Sequence, residues 1–211
     1  HLGENMHNTQ VQEFAAAVAR GTDLIVVDPR FSTAASKAKT WLPIRPGTDT
    51  ALLLAWLHVI ILEDRYNRAY VEAYTRGFDA LKASVAPYTP EWAAAETGLD
   101  ADLIRGTARR IAGAAPASLV HPGRHASWYG ADDTHRSRAI AILNGILGSW
   151  GHRGGFFRPS GLKLVKYPAP AYPAAKAPAD RVEGEAPFAL EPLAQGLRRA
   201  TIDGRPYPIK G

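Results

Sequence analysis

Hydrophobic positions along the chain change period, and the changes mark out its elements. Leu24-Ile25-Val26-Val27 is an unbroken β-favouring run that leads into Asp28-Pro29-Arg30. A short strand buried on both faces of a parallel sheet reads this way. Before it, Val11, Phe14, Ala15 and Val18 recur at helical spacing and predict a helix over Thr9–Arg20, closed by Gly21. After it, Ser32–Lys39 is small and Ala-rich and predicts a short helix, and Trp41–Ile44 predicts a second strand, ended by Pro46-Gly47. Thr48 and Asp49 then open a helix, Thr50 to about Glu63, that is apolar on most faces and should pack between the sheet and other helices.

Helix-start signals punctuate the next stretch. Asn67 begins a helix through Tyr74, Thr89-Pro90-Glu91 starts another, and Asp100 caps a third that runs to about Ala112. Ala117–His121 predicts a third strand. Asp132 or Asp133 caps a helix over Thr134–Leu147 with Ala139, Ile140, Leu143, Ile146 and Leu147 on its buried side. Residues 148–155 hold four glycines and form a loop. Beyond Pro159 the prolines 168, 170, 173, 178 and 187 and many alanines make an extended segment with little core of its own. The expected fold class is therefore α/β. We expect a Rossmann-like, mostly parallel sheet flanked by helices on both faces over residues 1–157, followed by a Pro-rich extended arm over residues 158–211.

Composition narrows the function classes. The chain has 211 residues, 46% of them hydrophobic, a net charge of +5 and no cysteine. It needs no disulfide and cannot itself hold an iron–sulfur cluster or a thiolate metal site. Its positive charge is spread rather than gathered into runs, which argues against a nucleic-acid partner and suits a surface or pocket that meets phosphates. The longest apolar run is too short to span a bilayer. The first residues read as a loop following a strand, so the chain is expected to be an internal piece of a longer protein, with any targeting signal upstream.

Candidate chemistry gathers at strand ends, the edge where open α/β sheets bind ligands. Gly3-Glu4-Asn5, with Asn8, precedes the first helix and could cradle a phosphate at its N-terminus, or be an ordinary turn and cap. Asp28 stands where a ribose-binding acid would, and Arg30 two residues on can reach a phosphate; a helix cap or surface ion pair is the plain alternative. A carboxylate at Asp49 can accept from N1–H and N2–H₂ of guanine together, or serve as the N-cap of the following helix. Arg124 and His125 suit an anionic substrate and proton delivery, or pair with Asp132 and Asp133. The histidines show no metal-ligand spacing, and no metal ligand is assigned.

These residues also carry a resemblance. Gly3-Glu4-Asn5, then residues 24–30, then Trp41-Leu42-Pro43-Ile44-Arg45-Pro46-Gly47-Thr48-Asp49, resemble the molybdopterin oxidoreductase family of dimethyl sulfoxide reductase type. Arg124–Asp133, Arg138–Asn144, Leu147–Gly155 and Gly204–Gly211 are similar to catalytic subunits of polysulfide and thiosulfate reductases, with respiratory arsenate reductases close behind. The resemblance implies a domain gripping one of two molybdopterin guanine dinucleotides around molybdenum. On that reading Gly3, Asn5 and Asn8 line the pyrophosphate, Val27, Asp28 and Arg30 the ribose and phosphate, and Ile44, Gly47 and Asp49 the guanine, while Arg124 and His125 face the metal funnel. It implies an enzyme of anaerobic respiration acting on inorganic sulfur compounds, with this segment inactive alone. The molybdenum ligand and the iron–sulfur cluster would lie in upstream domains of the same chain. An iron–sulfur electron-transfer subunit and a membrane anchor subunit would be partners, and the location the periplasmic face of the membrane. The alternatives are a metal-free structural subunit of the same fold, or an arsenate or tetrathionate reductase.

Overall fold

The structure, a computed structural model, describes residues 8–121, 133–157, 201–202 and 204. The chain divides into two compact units, residues 1–160 and 161–211. In the first, the described elements are α1 (Asn8–Ala19), β1 (Ile25–Val27), a single 3-10 turn (Ala35–Lys37), β2 (Thr40–Leu42), α2 (Asp49–Leu62), α3 (Arg68–Tyr74), α4 (Phe78–Val85), α5 (Pro90–Thr97), α6 (Ala101–Gly113) and α7 (Asp133–Ile146). Of the second unit, only Thr201, Ile202 and Gly204 are among the described residues.

The sheet is smaller than the pattern suggested. Among the described residues it has two strands, β1 and β2, paired in parallel with Ile25 opposite Thr40, Val26 opposite Trp41 and Val27 opposite Leu42. Strand alternation splits its side chains between two layers. Ile25, Val27 and Leu42 join the main core, and Val26 packs with Ala34 and Ala35 beside Leu24 and Trp41 on the other face. The run Leu24–Val27 is thus continuous because both faces are covered. β2 stops at Leu42 rather than Ile44 because Pro43 brings no amide hydrogen to a ladder and the Ile44 amide turns back onto the Leu42 carbonyl at 2.8 Å.

Ala117–His121 does not form a strand. The side-chain amide of Asn144 takes the place of a neighbouring strand. Its Oδ1 accepts from the Val120 amide at 3.0 Å, and its Nδ2 donates to the Val120 carbonyl at 2.8 Å and to Ile140 O at 3.0 Å. Both polar groups of Val120 are satisfied without a ladder.

Helices make up the rest. α2 is buried on nearly every side, with Leu52, Leu57, Ile60 and Ile61 at 2% exposure or less, because α4, α5, α6 and α7 surround it. Its Trp56 indole donates to Thr107 Oγ1 of α6 at 3.0 Å, so the largest side chain in the core leaves no unpaired donor. Side-chain caps form where the sequence placed them: Asn67 accepts from the Tyr70 amide, Thr89 from Trp92 and Asp100 from Leu103. On α7, Ala139, Ile140, Leu143 and Ile146 are buried, and so is Leu147 directly after it, the face the spacing predicts. α1 forms where the spacing predicted a helix; of its stripe, Phe14 and Val18 are half-buried and Val11 and Ala15 exposed among the described residues.

Candidate nucleotide site at the sheet edge

The parallel pairing puts the C-terminal ends of both strands on one edge. Val27 lies opposite Leu42, so Asp28 follows one strand end as Pro43 follows the other. Asp28 is fixed by its backbone on both sides. Its amide donates to Leu42 O at 3.2 Å, and its carbonyl accepts from the Trp41 indole at 2.8 Å. Its carboxylate closes a short turn, with Oδ1 accepting from the Arg30 amide at 2.9 Å. That single bond leaves a half-buried carboxylate with acceptor capacity to spare. Phe31 stands edge-on to Trp41, centroids 4.9 Å apart, with its outer side in solvent.

The second strand end runs into the loop 43–48 and then into α2. Gly47 has a φ of +84°, a conformation that favours glycine, and a side chain there would meet no atom within 4 Å. Thr48 is the residue that precedes α2, and its hydroxyl turns back to donate to Arg45 O at 2.7 Å instead of capping the helix. Asp49 is therefore the first residue of α2 and not its cap. Its carboxylate is half-buried and has no hydrogen-bond partner among the described residues. Of the two roles open to it from sequence, the capping role falls away.

The other expected residues are placed as follows. Val27 ends β1 with its side chain against the main core. Ile44 is 3% exposed and belongs to that core, so only its backbone faces the loop. Arg30 is exposed. Asn8 is the first residue of α1; its side chain, together with Gly3, Asn5, Arg124 and His125, lies outside the described residues. Among the described residues, no group of three or more His, Cys, Asp or Glu side chains could hold a metal ion, and no helix is long and apolar enough to cross a membrane.

Two residues that shape this edge were not singled out in the sequence as site residues. Trp41 holds the Asp28 carbonyl, and Arg45 ties the loop to α5. The last three carbonyls of α5 all accept from Arg45: Thr97 O from its amide at 2.9 Å, and Glu96 O and Ala95 O from its guanidinium Nη1 at 2.6 and 3.3 Å. No local signal reveals this, because an arginine before Pro-Gly in a loop meets partners some fifty positions further on.

A hydrogen-bonded turn follows α7 over residues 148–155. Ser149 O accepts from the Phe156 amide at 2.8 Å, Gly151 donates to Phe156 O at 3.0 Å, and the Trp150 and Phe156 rings lie 4.2 Å apart. A Cβ on Gly148, Gly154 or Gly155 would meet Asn67, Ala117 or the Ser149 carbonyl at 3.0 Å or less, whereas Gly151 has open space and serves the turn through its positive φ of 76°.

No family profile matches the chain. Its curated relatives match it across most or all of its length. The thiosulfate reductase molybdopterin-containing subunit PhsA of Salmonella typhimurium is 34% identical over 100% of this chain and 30% of its own length. The arsenate respiratory reductase molybdopterin-containing subunit ArrA of Shewanella is 32% identical over 86% of the chain and 22% of its own. Among solved structures, acetylene hydratase from Pelobacter acetylenicus superposes with a TM-score of 0.64 at 38% identity, covering 70% of this chain and 20% of that one. The chain thus spans less than a third of the relatives it matches.

Proposed function

Because the chain belongs to the molybdopterin oxidoreductase family, we propose that the edge formed by Asp28 and the loop 43–49 holds the guanine nucleotide end of a molybdopterin guanine dinucleotide. The observation that carries this reading is the Asp49 carboxylate, half-buried beside an open glycine turn and receiving no hydrogen bond from the described chain. An unpaired acceptor of that kind is costly unless water or a ligand donates to it. Guanine presents N1–H and N2–H₂ side by side and would satisfy both oxygens; adenine has no such pair. Asp28 would accept from ribose hydroxyls with its remaining lone pairs, as an acid at the end of the second strand does in dinucleotide folds. Arg30 would meet phosphate, with Gly3, Asn5 and Asn8 at the pyrophosphate. The bound group supplies the redox chemistry, and this chain supplies its placement.

In the larger protein, we assign the activity to the reduction of inorganic sulfur compounds, polysulfide or thiosulfate, within an anaerobic respiratory chain. Support comes from the likeness of the whole of this chain to about a third of the thiosulfate reductase subunit, 30% of its length. Arg124 and His125 would face the anionic substrate. Iron–sulfur and membrane anchor subunits, and a periplasmic location, belong to the same proposal. Arsenate reduction is the second reading, favoured by the likeness to the arsenate respiratory subunit over most of the chain.

The test uses the intact protein isolated from its host. Acid hydrolysis should release guanine nucleotide from it, and metal analysis should find molybdenum. Asp49→Ala should lower the guanine nucleotide per polypeptide at least fivefold while changing thermal unfolding little, since Thr48 and not Asp49 precedes the helix. Wild-type nucleotide content in that variant would overturn the assignment of Asp49. Dye-linked assays with thiosulfate, polysulfide and arsenate separate the substrate readings.

A further inference from the structure

The loop that carries Asp49 is held from outside the sheet by one side chain. Arg45 is bonded on both sides of its own peptide unit. Its amide donates to Thr97 O at 2.9 Å, and its carbonyl accepts from the Thr48 hydroxyl at 2.7 Å and the Thr48 amide at 3.3 Å. Its guanidinium meets Glu96 O at 2.6 Å and Ala95 O at 3.3 Å. These are end carbonyls of α5, which the helix cannot pair internally and which carry its negative pole. A cation there gains a charge-assisted hydrogen bond and closes the helix end. Between Arg45 and Asp49 lie only Pro46, Gly47 and Thr48, and a Cβ on Gly47 would meet no atom within 4 Å among the described residues. The orientation of Asp49 therefore rests on two anchors: α2 on one side, and Arg45 on the other.

We infer that Arg45 is a positioning residue for nucleotide recognition, locking the turn 46–48 to the end of α5 so that the Asp49 carboxylate is presented at a fixed angle. This rests on the proposed role of Asp49 as the guanine acceptor. The same geometry also predicts a route by which α5, a helix of the main core with no other role at the sheet edge, sets occupancy of the nucleotide site. Without the guanidinium, the loop keeps its single backbone bond to Thr97 and can swing about it. A bidentate acceptor loses most from such motion, because two bonds must align together.

The experiment compares four variants of the intact protein for guanine nucleotide per polypeptide and for thermal unfolding. Arg45→Ala is expected to lower nucleotide content at least threefold. Arg45→Lys, whose ammonium can reach the same two carbonyls, should retain at least half. Val71→Ala opens a cavity at a core position on α3, 5% exposed and away from α5 and the loop 43–48. It should lower the unfolding temperature yet keep wild-type nucleotide content. Asp49→Ala completes the set. If it loses nucleotide and Arg45→Ala does not, Asp49 keeps its role and the inference about Arg45 fails. If it keeps nucleotide, the reading of Asp49 fails and takes the inference with it. Equal losses in Val71→Ala and Arg45→Ala would trace the effect of Arg45 to fold stability alone and overturn the inference. Should Arg45→Ala not accumulate as folded protein, Arg45→Gln replaces it, with the same loss expected and wild-type content overturning the inference.

Discussion

Arg109 grips the Glu63 carboxylate with two parallel bonds, Nε to Oε2 at 2.8 Å and Nη2 to Oε1 at 2.7 Å. Glu63 follows the last turn of α2, where a carboxylate opposes the helix dipole. Arg109 on α6, aided by Arg65 at 2.8 Å, reverses that penalty and ties the two helices together. The Arg109 hydrogen bonds hold Glu63 down from the ordinary 4.5 to about 2, with Arg65 adding to the shift.

The sign of the pH dependence follows. A carboxylate whose folded value is depressed stabilises the fold above its unfolded value and loses that contribution as the pH falls through the folded one. Stability should therefore decline between about pH 4.5 and 2 on account of Glu63. Asp23 adds to this with the same sign, its value lowered chiefly by hydrogen bonds from Arg110. Both arginines are partly exposed, so solvent screening trims what each pair contributes. Glu63→Gln should lower stability at pH 7 and flatten the acid limb, as read by urea unfolding at pH 7, 5 and 3. An unchanged acid limb would show that Glu63 does not carry it.

Asn144 should be far less tolerant than a surface amide. Asn144→Ala strands the Val120 amide and carbonyl, and Asn144→Asp loses both donor bonds while burying a charge at a site 1% exposed. A cost of about 2–3 kcal/mol is expected for the alanine variant and more for the aspartate. Denaturant midpoints measure it. A loss under 0.5 kcal/mol in Asn144→Ala would mean that Val120 finds other partners.

Glycines divide sharply by environment. A Cβ on Gly155 would sit 2.3 Å from Ser149 O and 2.9 Å from Pro116 O, both backbone atoms, so Gly155→Ala should force the turn apart and cost more than about 2 kcal/mol. Gly106, inside α6, has no atom within 4 Å of such a Cβ, and Gly106→Ala should stabilise by up to about 1 kcal/mol. Thermal unfolding of the two variants should move in opposite directions; a shared direction would contradict this packing.

Trp56→Phe keeps the ring volume in part but removes the indole N–H that reaches Thr107 Oγ1. The Thr107 hydroxyl already donates to main-chain carbonyls of its own helix, Leu103 O and Ile104 O at 2.9 Å, so no buried donor is orphaned. The loss should stay near 1–2 kcal/mol, and Trp56→Ala should cost about 3–5 kcal/mol by opening a cavity between α2 and α6. Equal losses in the two variants would show that the hydrogen bond, not the packing, holds that contact.

What was legible in the sequence was what local chemistry dictates. The caps at Asn67, Thr89 and Asp100 need only their own next turn, and the buried face of α7 and the all-round burial of α2 follow from the spacing of apolar residues. The site residues at the strand ends could be named for the same reason: a strand run ending in Asp28 fixes which end that acid occupies. Tertiary structure alone decided what competes with those local rules. Ala117–His121 has strand composition, but a side chain 24 positions away satisfies Val120 and removes the need for a ladder. Asp49 has the type of a cap, but Thr48 takes the preceding position and spends its hydroxyl on Arg45, which leaves the Asp49 carboxylate without a partner among the described residues. Arg45 itself carries no local mark, since its partners are carbonyls of a helix that only the folded chain brings alongside. Sequence specified which groups can donate and accept; the distance between segments far apart in the chain determined which of those groups meet.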